Sequence, residues 1–345
     1  MCIKNIHFSS ISNINNDITK DILGITCKND NVINDRNDNL QKTLLFSLLL
    51  AIQYGMQPIL ASRFTSRAIS KTSVVIMTEF GKIVIAFIGI MTGLIKDVNF
   101  ADWNFKDSLS IAAIPALLYA IQNLCVQYGY VLLDSMTFNV LNQTKTLSAA
   151  IFLFVFMGIS QSMVQIIALG ILLVAACMLS MKTQAIIAFD STGYKLGIIL
   201  VTIASLLSGI STALTQKALV GKGRRNPILF SAELASFGII FLIISSIFQS
   251  DGYKMISNGF FNEWNINTFI PVITNSLGGV IVGLVTKFGG GIVKGFALIV
   301  GICITAFAQW FIENKPLRYI DWIAVFLVST SIYLHSNYPQ KRKII

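Results

Sequence analysis

Apolar runs of about 20 residues recur along the chain from residue 43 to residue 336, separated by short polar segments. At 1.5 Å of rise per residue, one such run coiled as a helix crosses the ~30 Å hydrocarbon core of a bilayer. Ten are legible, at 43–61, 73–94, 108–131, 135–158, 162–181, 194–217, 227–249, 268–287, 291–312 and 317–336. The first 42 residues are polar and asparagine-rich, and read as a disordered cytosolic tail. They lack the charged-then-apolar pattern of a cleaved signal peptide, so the first run is expected to serve as an uncleaved insertion signal. The fold class expected is all-α and integral to the membrane, with ten transmembrane helices.

Composition sharpens that picture. Charged residues make up 12% of the chain and hydrophobic ones 54%, with a mean hydropathy of +0.71. Soluble domains are roughly 25% charged, so too little polar surface remains to solvate a water-exposed fold. With a cytosolic N-terminus, the cytosolic segments carry fifteen Lys and Arg and the opposite side eight. That bias places both termini in the cytosol, although Arg63, Arg67 and Lys71 run against it. The net charge of +10 therefore reads as topology, not as a nucleic-acid footprint. Cys2 and Cys27 fall in the tail, Cys125, Cys177 and Cys303 in apolar runs, and no CxxC occurs. No metal, cofactor or disulfide framework is called for.

Three cations and two carboxylates lie inside the runs: Lys82, Lys145, Lys294, Glu79 and Glu233. A charge at the centre of a spanning helix costs roughly 2.5–3.5 kcal/mol even on the lenient insertion scale, so each should face a protein interior or a wet cavity. Glu79 and Lys82, three residues apart, share a helical face and can pair, either as a self-neutralising structural element or as a gating or coupling charge. Lys145 lies ten residues into its run, about 15 Å deep, with no acid within four positions. It cannot snorkel to either surface, and it needs an anion that Glu233 or a substrate could supply. Lys294 stands in Gly289-Gly290-Gly291-Ile292-Val293-Lys294-Gly295. A glycine-rich approach to a helix N-terminus offers free N–H groups to an anion, though glycines also serve helix packing. Two lysines reaching a central cavity from opposite membrane sides would suit a diphosphate bridge. Tyr119, Gln122 and Asn123 share a face of the third run; Asn139, Asn142, Gln143 and Thr144 follow in the fourth. Buried amides require partners, and a base, a ribose or a neighbouring helix would each provide them.

Gln165-Ile166-Ile167-Ala168 is echoed by Asp321-Trp322-Ile323-Ala324 after 156 residues, and Lys145 and Lys294 are 149 apart. Near-equal offsets suggest two five-helix halves, 43–181 and 194–336, joined by a lumenal connector at 182–193 and followed by a cytosolic tail at 337–345. An odd number of spans per half forces the second half to insert upside down, which is the inverted-repeat plan with its site near the midplane.

Four segments resemble the nucleotide-sugar transporter family that contains the CMP-sialic acid, UDP-galactose and UDP-N-acetylglucosamine carriers. Met77-Thr78-Glu79-Phe80-Gly81-Lys82 is similar to its Glu-x-x-Lys signature, and Ile114-Pro115-Ala116-Leu117-Leu118-Tyr119-Ala120-Ile121-Gln122-Asn123 to its third-helix signature. Phe138-Asn139-Val140-Leu141-Asn142-Gln143-Thr144-Lys145 is similar to its fourth-helix stretch, and Val293-Lys294-Gly295-Phe296-Ala297 to its Leu-Lys-Gly-Phe-Ala/Ser motif. The resemblance implies the drug/metabolite transporter fold, exchange of a cytosolic nucleotide sugar for a lumenal nucleoside monophosphate, and no enzymatic step. It implies that Tyr119, Asn123 and Lys145 line the nucleotide site and that Lys294 lies close by. Phe138 stands where the sialic acid and galactose carriers have tyrosine. Thr212-Ala213-Leu214-Thr215-Gln216-Lys217 and Phe230-Ser231-Ala232-Glu233 resemble a plant branch carrying UDP-N-acetylhexosamines, which favours that cargo over CMP-sialic acid or UDP-galactose.

The substrate-binding candidates are thus Tyr119, Gln122, Asn123, Phe138, Asn142, Lys145 and Lys294, with Glu79, Lys82 and Glu233 as structural or coupling charges. Expected partners are nucleotide sugar, nucleoside monophosphate and membrane lipid, with a second copy of the chain as a candidate. The sequence Lys341-Arg342-Lys343-Ile344-Ile345 fits a dilysine retrieval signal read by coat protein, or else a basic stop-transfer flank. Endoplasmic reticulum or Golgi membrane is the expected location. An integral-membrane glycosyltransferase is the alternative from another class. It would need an acid pair for metal or base chemistry, and the loops carry no cluster of acids or histidines.

Overall fold

The computed structural model describes residues 37–66, 68–92, 104–133, 135–180, 192–220, 225–313 and 317–338. The chain divides into two compact units, residues 1–45 and 46–345. Of the first, the described part is a helical start in which Lys42 pairs with Asp38 one turn back, at 2.5 Å. The packing and the site described below belong to the second unit.

Each apolar run coils. The helices are α1 (Asn37–Phe64), α2 (Lys71–Met91), α3 (Phe105–Ser108), α4 (Ile114–Leu132), α5 (Ser135–Gln143), α6 (Lys145–Met157) and α7 (Met163–Ser180). They continue with α8 (Thr192–Val220), α9 (Pro227–Ser246), α10 (Ser250–Asn258), α11 (Phe269–Phe288), α12 (Gly290–Glu313) and α13 (Tyr319–Asn337). A π turn at Leu109–Ala113 joins α3 to α4. No strand occurs among the described residues. Among the described residues, seven stretches are long and apolar enough to cross a membrane; 141–157 and 163–179 are apolar but shorter, and α13 is not among the seven. The protein is an all-α integral membrane protein. Large apolar side chains such as Phe87, Phe154 and Phe326 stay exposed on the helices, as lipid-facing positions require.

Local chemistry sets the ends. Ser70 caps α2 by accepting from the Ser73 N–H, and Asn226 caps α9 ahead of Pro227. Helix α1 begins at Asn37, inside the segment expected to be a solvated tail; residues 1–36 lie outside the described residues, as do 182–191 of the connector and 339–345. The fourth run is broken, because the Thr144 N–H and hydroxyl both turn back to Leu141 O, at 3.1 and 2.6 Å. Helix α6 therefore restarts at Lys145. A short helix, α10, also forms in the segment read as a plain loop, burying Gly252 and Met255 on one side.

Small residues and hydroxyls seat the helices on one another. Helices α7 and α13 run antiparallel, with Ser162 Oγ on Tyr338 O (2.7 Å), Gln165 Nε2 on His335 O (3.2 Å) and Ser331 Oγ on Ala168 O (2.5 Å). The sequence echo appears here as matched helix starts: Gln165 Oε1 accepts from the Ser162 N–H at 3.0 Å, and Asp321 Oδ2 from the Arg318 N–H at 2.9 Å. Helices α2 and α11 run parallel, with Ser276 donating to Thr78 O at 2.9 Å and, one turn further along both, Lys82 lying against Gly279. Leu153, Leu172, Ala176, Phe296, Ile299 and Val328 form the largest apolar core.

Candidate functional site

Eight helices surround a cavity of about 600 Å³ within the second unit, inside the ~300–1,000 Å³ range of small-molecule sites. From α4, Tyr119, Gln122 and Asn123 line it together, as their shared helical face predicts. Lys145 enters from the restart at α6, Lys294 from the second turn of α12, and Glu79 and Lys82 from α2.

Charge defines what the cavity can hold. Lys82 Nζ lies 2.6 Å from Glu79 Oε1, so those two cancel. Lys294 Nζ donates to an uncharged acceptor, Thr212 Oγ1, at 2.9 Å. Lys145 takes part in none of the ion pairs among the described residues. Lys145 and Lys294 line the same cavity. Glu79, Lys82, Lys145 and Lys294 are the charged side chains of the lining, so two positive charges stay uncompensated. A site of low dielectric with that surplus is built for an anion. Two lining residues also carry a buried side-chain oxygen that lacks a partner, Gln122 Oε1 and Thr215 Oγ1. Orphaned polar atoms of this kind cost ~1–3 kcal/mol each unless a ligand meets them.

Three expected site residues stand elsewhere. Phe138 is 1% exposed and packs with Leu133, Tyr194 and Val201, away from the cavity. Asn142 does not line the cavity either. Glu233 pairs with Arg225, the residue just before the α9 cap, and so does not serve as the counter-ion of Lys145. Gln53 of α1 and Ser208, Thr212 and Thr215 of α8 line the cavity without having been among the substrate-binding candidates, Thr212 and Thr215 having stood out only as part of a motif. A signal for the α8 set existed in the i, i+4, i+7 spacing of its hydroxyls.

An all-α membrane protein that encloses a doubly cationic cavity between its helices has the form of a carrier for anionic solutes. The model of the family described as nucleotide-sugar transporter matches residues 40–336. The UDP-N-acetylglucosamine transporter ROCK1 of Arabidopsis thaliana is 37% identical over 88% of this chain and 95% of its own length. The UDP-N-acetylglucosamine/UDP-N-acetylgalactosamine transporter nstp-4 of Caenorhabditis elegans is 28% identical over 88% and 96%. CMP-sialic acid transporter 2 of Oryza sativa subsp. indica is 27% identical over 69% and 66%. A solved crystal structure shares the fold at 11% identity, with a TM-score of 0.64 over 85% of this chain and 96% of that one. The chain belongs to the nucleotide-sugar transporter family. Its relatives are named as transporters, and it is a carrier, not an enzyme.

Proposed function

We propose that the protein exchanges a cytosolic UDP-N-acetylhexosamine for lumenal UMP across the endoplasmic reticulum or Golgi membrane. The observation that carries this reading is the convergence of Lys145 and Lys294 on one cavity whose other two charges cancel. A nucleoside diphosphate sugar carries about two negative charges on its bridge, and a monophosphate nearly as many, so either would neutralise the same clamp. Tyr119, Gln122 and Asn123 would orient the base or ribose from α4. The UDP-N-acetylhexosamine cargo is supported by relatives named as transporters of UDP-N-acetylglucosamine and UDP-N-acetylgalactosamine that align over most of their length.

The ten helical segments would form two inverted five-helix halves with both termini in the cytosol. The helix directions support this: α7 opposes α13, whereas α2 and α11 run together, as strict alternation across ten spans demands. The halves would rock about the cavity in alternating access, with neither metal nor ATP needed for exchange. Proteoliposomes preloaded with UMP or CMP and offered labelled nucleotide sugars test the reading. UDP-N-acetylglucosamine uptake that depends on internal UMP is expected; uptake of CMP-sialic acid alone would reassign the cargo, and silence across the panel would remove the proposal.

A further inference from the structure

We infer that Gln216 of α8 is a latch that holds the start of α12 in its empty state and must release it when cargo binds; this rests on the anion-exchange reading above. Gln216 Oε1 accepts from the Gly291 N–H at 2.7 Å. One turn earlier on α8, Thr212 Oγ1 accepts from Lys294 Nζ at 2.9 Å. The two donors belong to the first turns of α12, and both are groups that recognise a phosphate: a free N–H at a helix N-terminus and an ammonium. In the cargo-free carrier each is occupied by an uncharged acceptor from α8.

The contact is tight and directional. Gly290 has φ +85°, and a Cβ on Gly291 would lie 2.3 Å from Thr212 Cγ2, so α8 presses directly on the glycine corner. Gly291, Thr212 and Lys294 line the cavity, whereas Gln216 does not. It therefore holds the Gly291 N–H turned away from the site. Beside it on α8, Thr215 lines the cavity, and its buried hydroxyl has no partner. Cargo thus meets two sets of groups, Lys145 waiting, Lys294 and the Gly291 N–H already engaged.

Bonds to a charged acceptor are roughly twice as strong as those to a neutral one. Phosphate can therefore take both donors from α8, and departure of cargo returns them without leaving a buried donor unpaired. Glycine at 289–291 supplies the backbone freedom for the N–H to turn. Gln216 is accordingly a positioning residue, acting on cargo through Gly291.

The test is exchange kinetics in proteoliposomes with UMP as the probe, together with thermal unfolding in detergent with and without UMP. Gln216→Ala should unfold at a lower temperature without ligand, while its KM for UMP falls about three- to tenfold, the worth of one neutral hydrogen bond. Gln216→Glu, which holds the N–H more strongly and repels phosphate, should raise KM more than tenfold. Lower stability with unchanged KM would make Gln216 merely structural and overturn the latch. A raised KM in Gln216→Ala would mean direct contact with cargo and overturn it equally. If Gln216→Ala does not fold, Gln216→Asn, too short to reach Gly291, must show the same fall in KM. A wild-type protein unaffected by UMP, UDP-sugars or pyrophosphate would overturn the exchange reading itself, and the latch with it.

Discussion

Lys82 reaches back one turn of α2 to Glu79, Nζ to Oε1 at 2.6 Å, with each side chain under one-fifth exposed. Its stem lies over α11, where a Cβ on Gly279 would be 2.3 Å from Lys82 Cε. Removing one member of such a pair leaves a poorly solvated charge, at a cost of roughly 3–5 kcal/mol. Glu79→Gln and Lys82→Met should each lower the unfolding temperature markedly. The double variant should recover most of the loss, measured in detergent for all four proteins.

Lys145 should behave in the opposite sense. It is in no ion pair and shares its cavity with a second cation, Lys294, so Lys145→Met should leave the fold as stable as wild type or more so. Exchange should fall at least tenfold, because a charge-assisted bond to phosphate contributes about 1.5–3 kcal/mol. A stable variant with normal exchange would remove Lys145 from the site.

Gly81 on α2 approaches α11 so closely that a Cβ there would lie 2.3 Å from Ser276 Oγ. Gly81→Ala should destabilise by about 1–3 kcal/mol through overpacking. Adding Ser276→Gly should return part of that loss, since it removes the colliding atoms; thermal unfolding of the single and double variants measures it.

Outside the membrane-crossing stretches, Asp251 of α10 holds the start of α2. Its Oδ2 accepts from the Thr72 N–H and hydroxyl, both at 2.8 Å, and from the Ser70 hydroxyl at 3.0 Å. Burial pushes the carboxyl pKa up, but these donors outweigh it and hold the group below its ordinary value. A pKa lowered by folding stabilises above the unfolded value and loses that effect as pH falls through the folded one. Asp251→Ala should therefore cost about 1–3 kcal/mol at neutral pH. The gap to wild type should narrow once pH drops past about 4, as unfolding followed from pH 7 to acid would register.

Lys341 and Lys343 lie outside the described residues, and the retrieval role proposed for them is a matter of trafficking. Changing both to Ser should move a tagged copy outward from the endoplasmic reticulum, by light microscopy. An unchanged distribution would leave them as a basic flank.

Much of this was legible in the chain because lipid imposes a blunt rule: apolar runs of a given length must be helices. The Glu79–Lys82 pair follows from spacing alone, and Lys145 announces itself by isolation. The Arg225 partner of Glu233 was not legible because it is eight residues away, outside the i±3 and i±4 positions that a helix face reveals. Thr212 and Gln216 were legible as a motif but not as contacts, since Gln216 acts on a residue 75 positions later. The break at Thr144 was hidden because a threonine in an apolar run normally bonds its own helix and leaves it whole.

Gly290 carries the last consequence. At φ +85° any other L-residue is strained, so this corner tolerates no alphabet, whatever solute the carrier moves. The hydroxyl and amide positions of α4 and α8 have no such restriction. Divergence toward new cargo is therefore free to rewrite the walls of the cavity but not its glycine corner, and libraries aimed at altered selectivity are best spent on those walls.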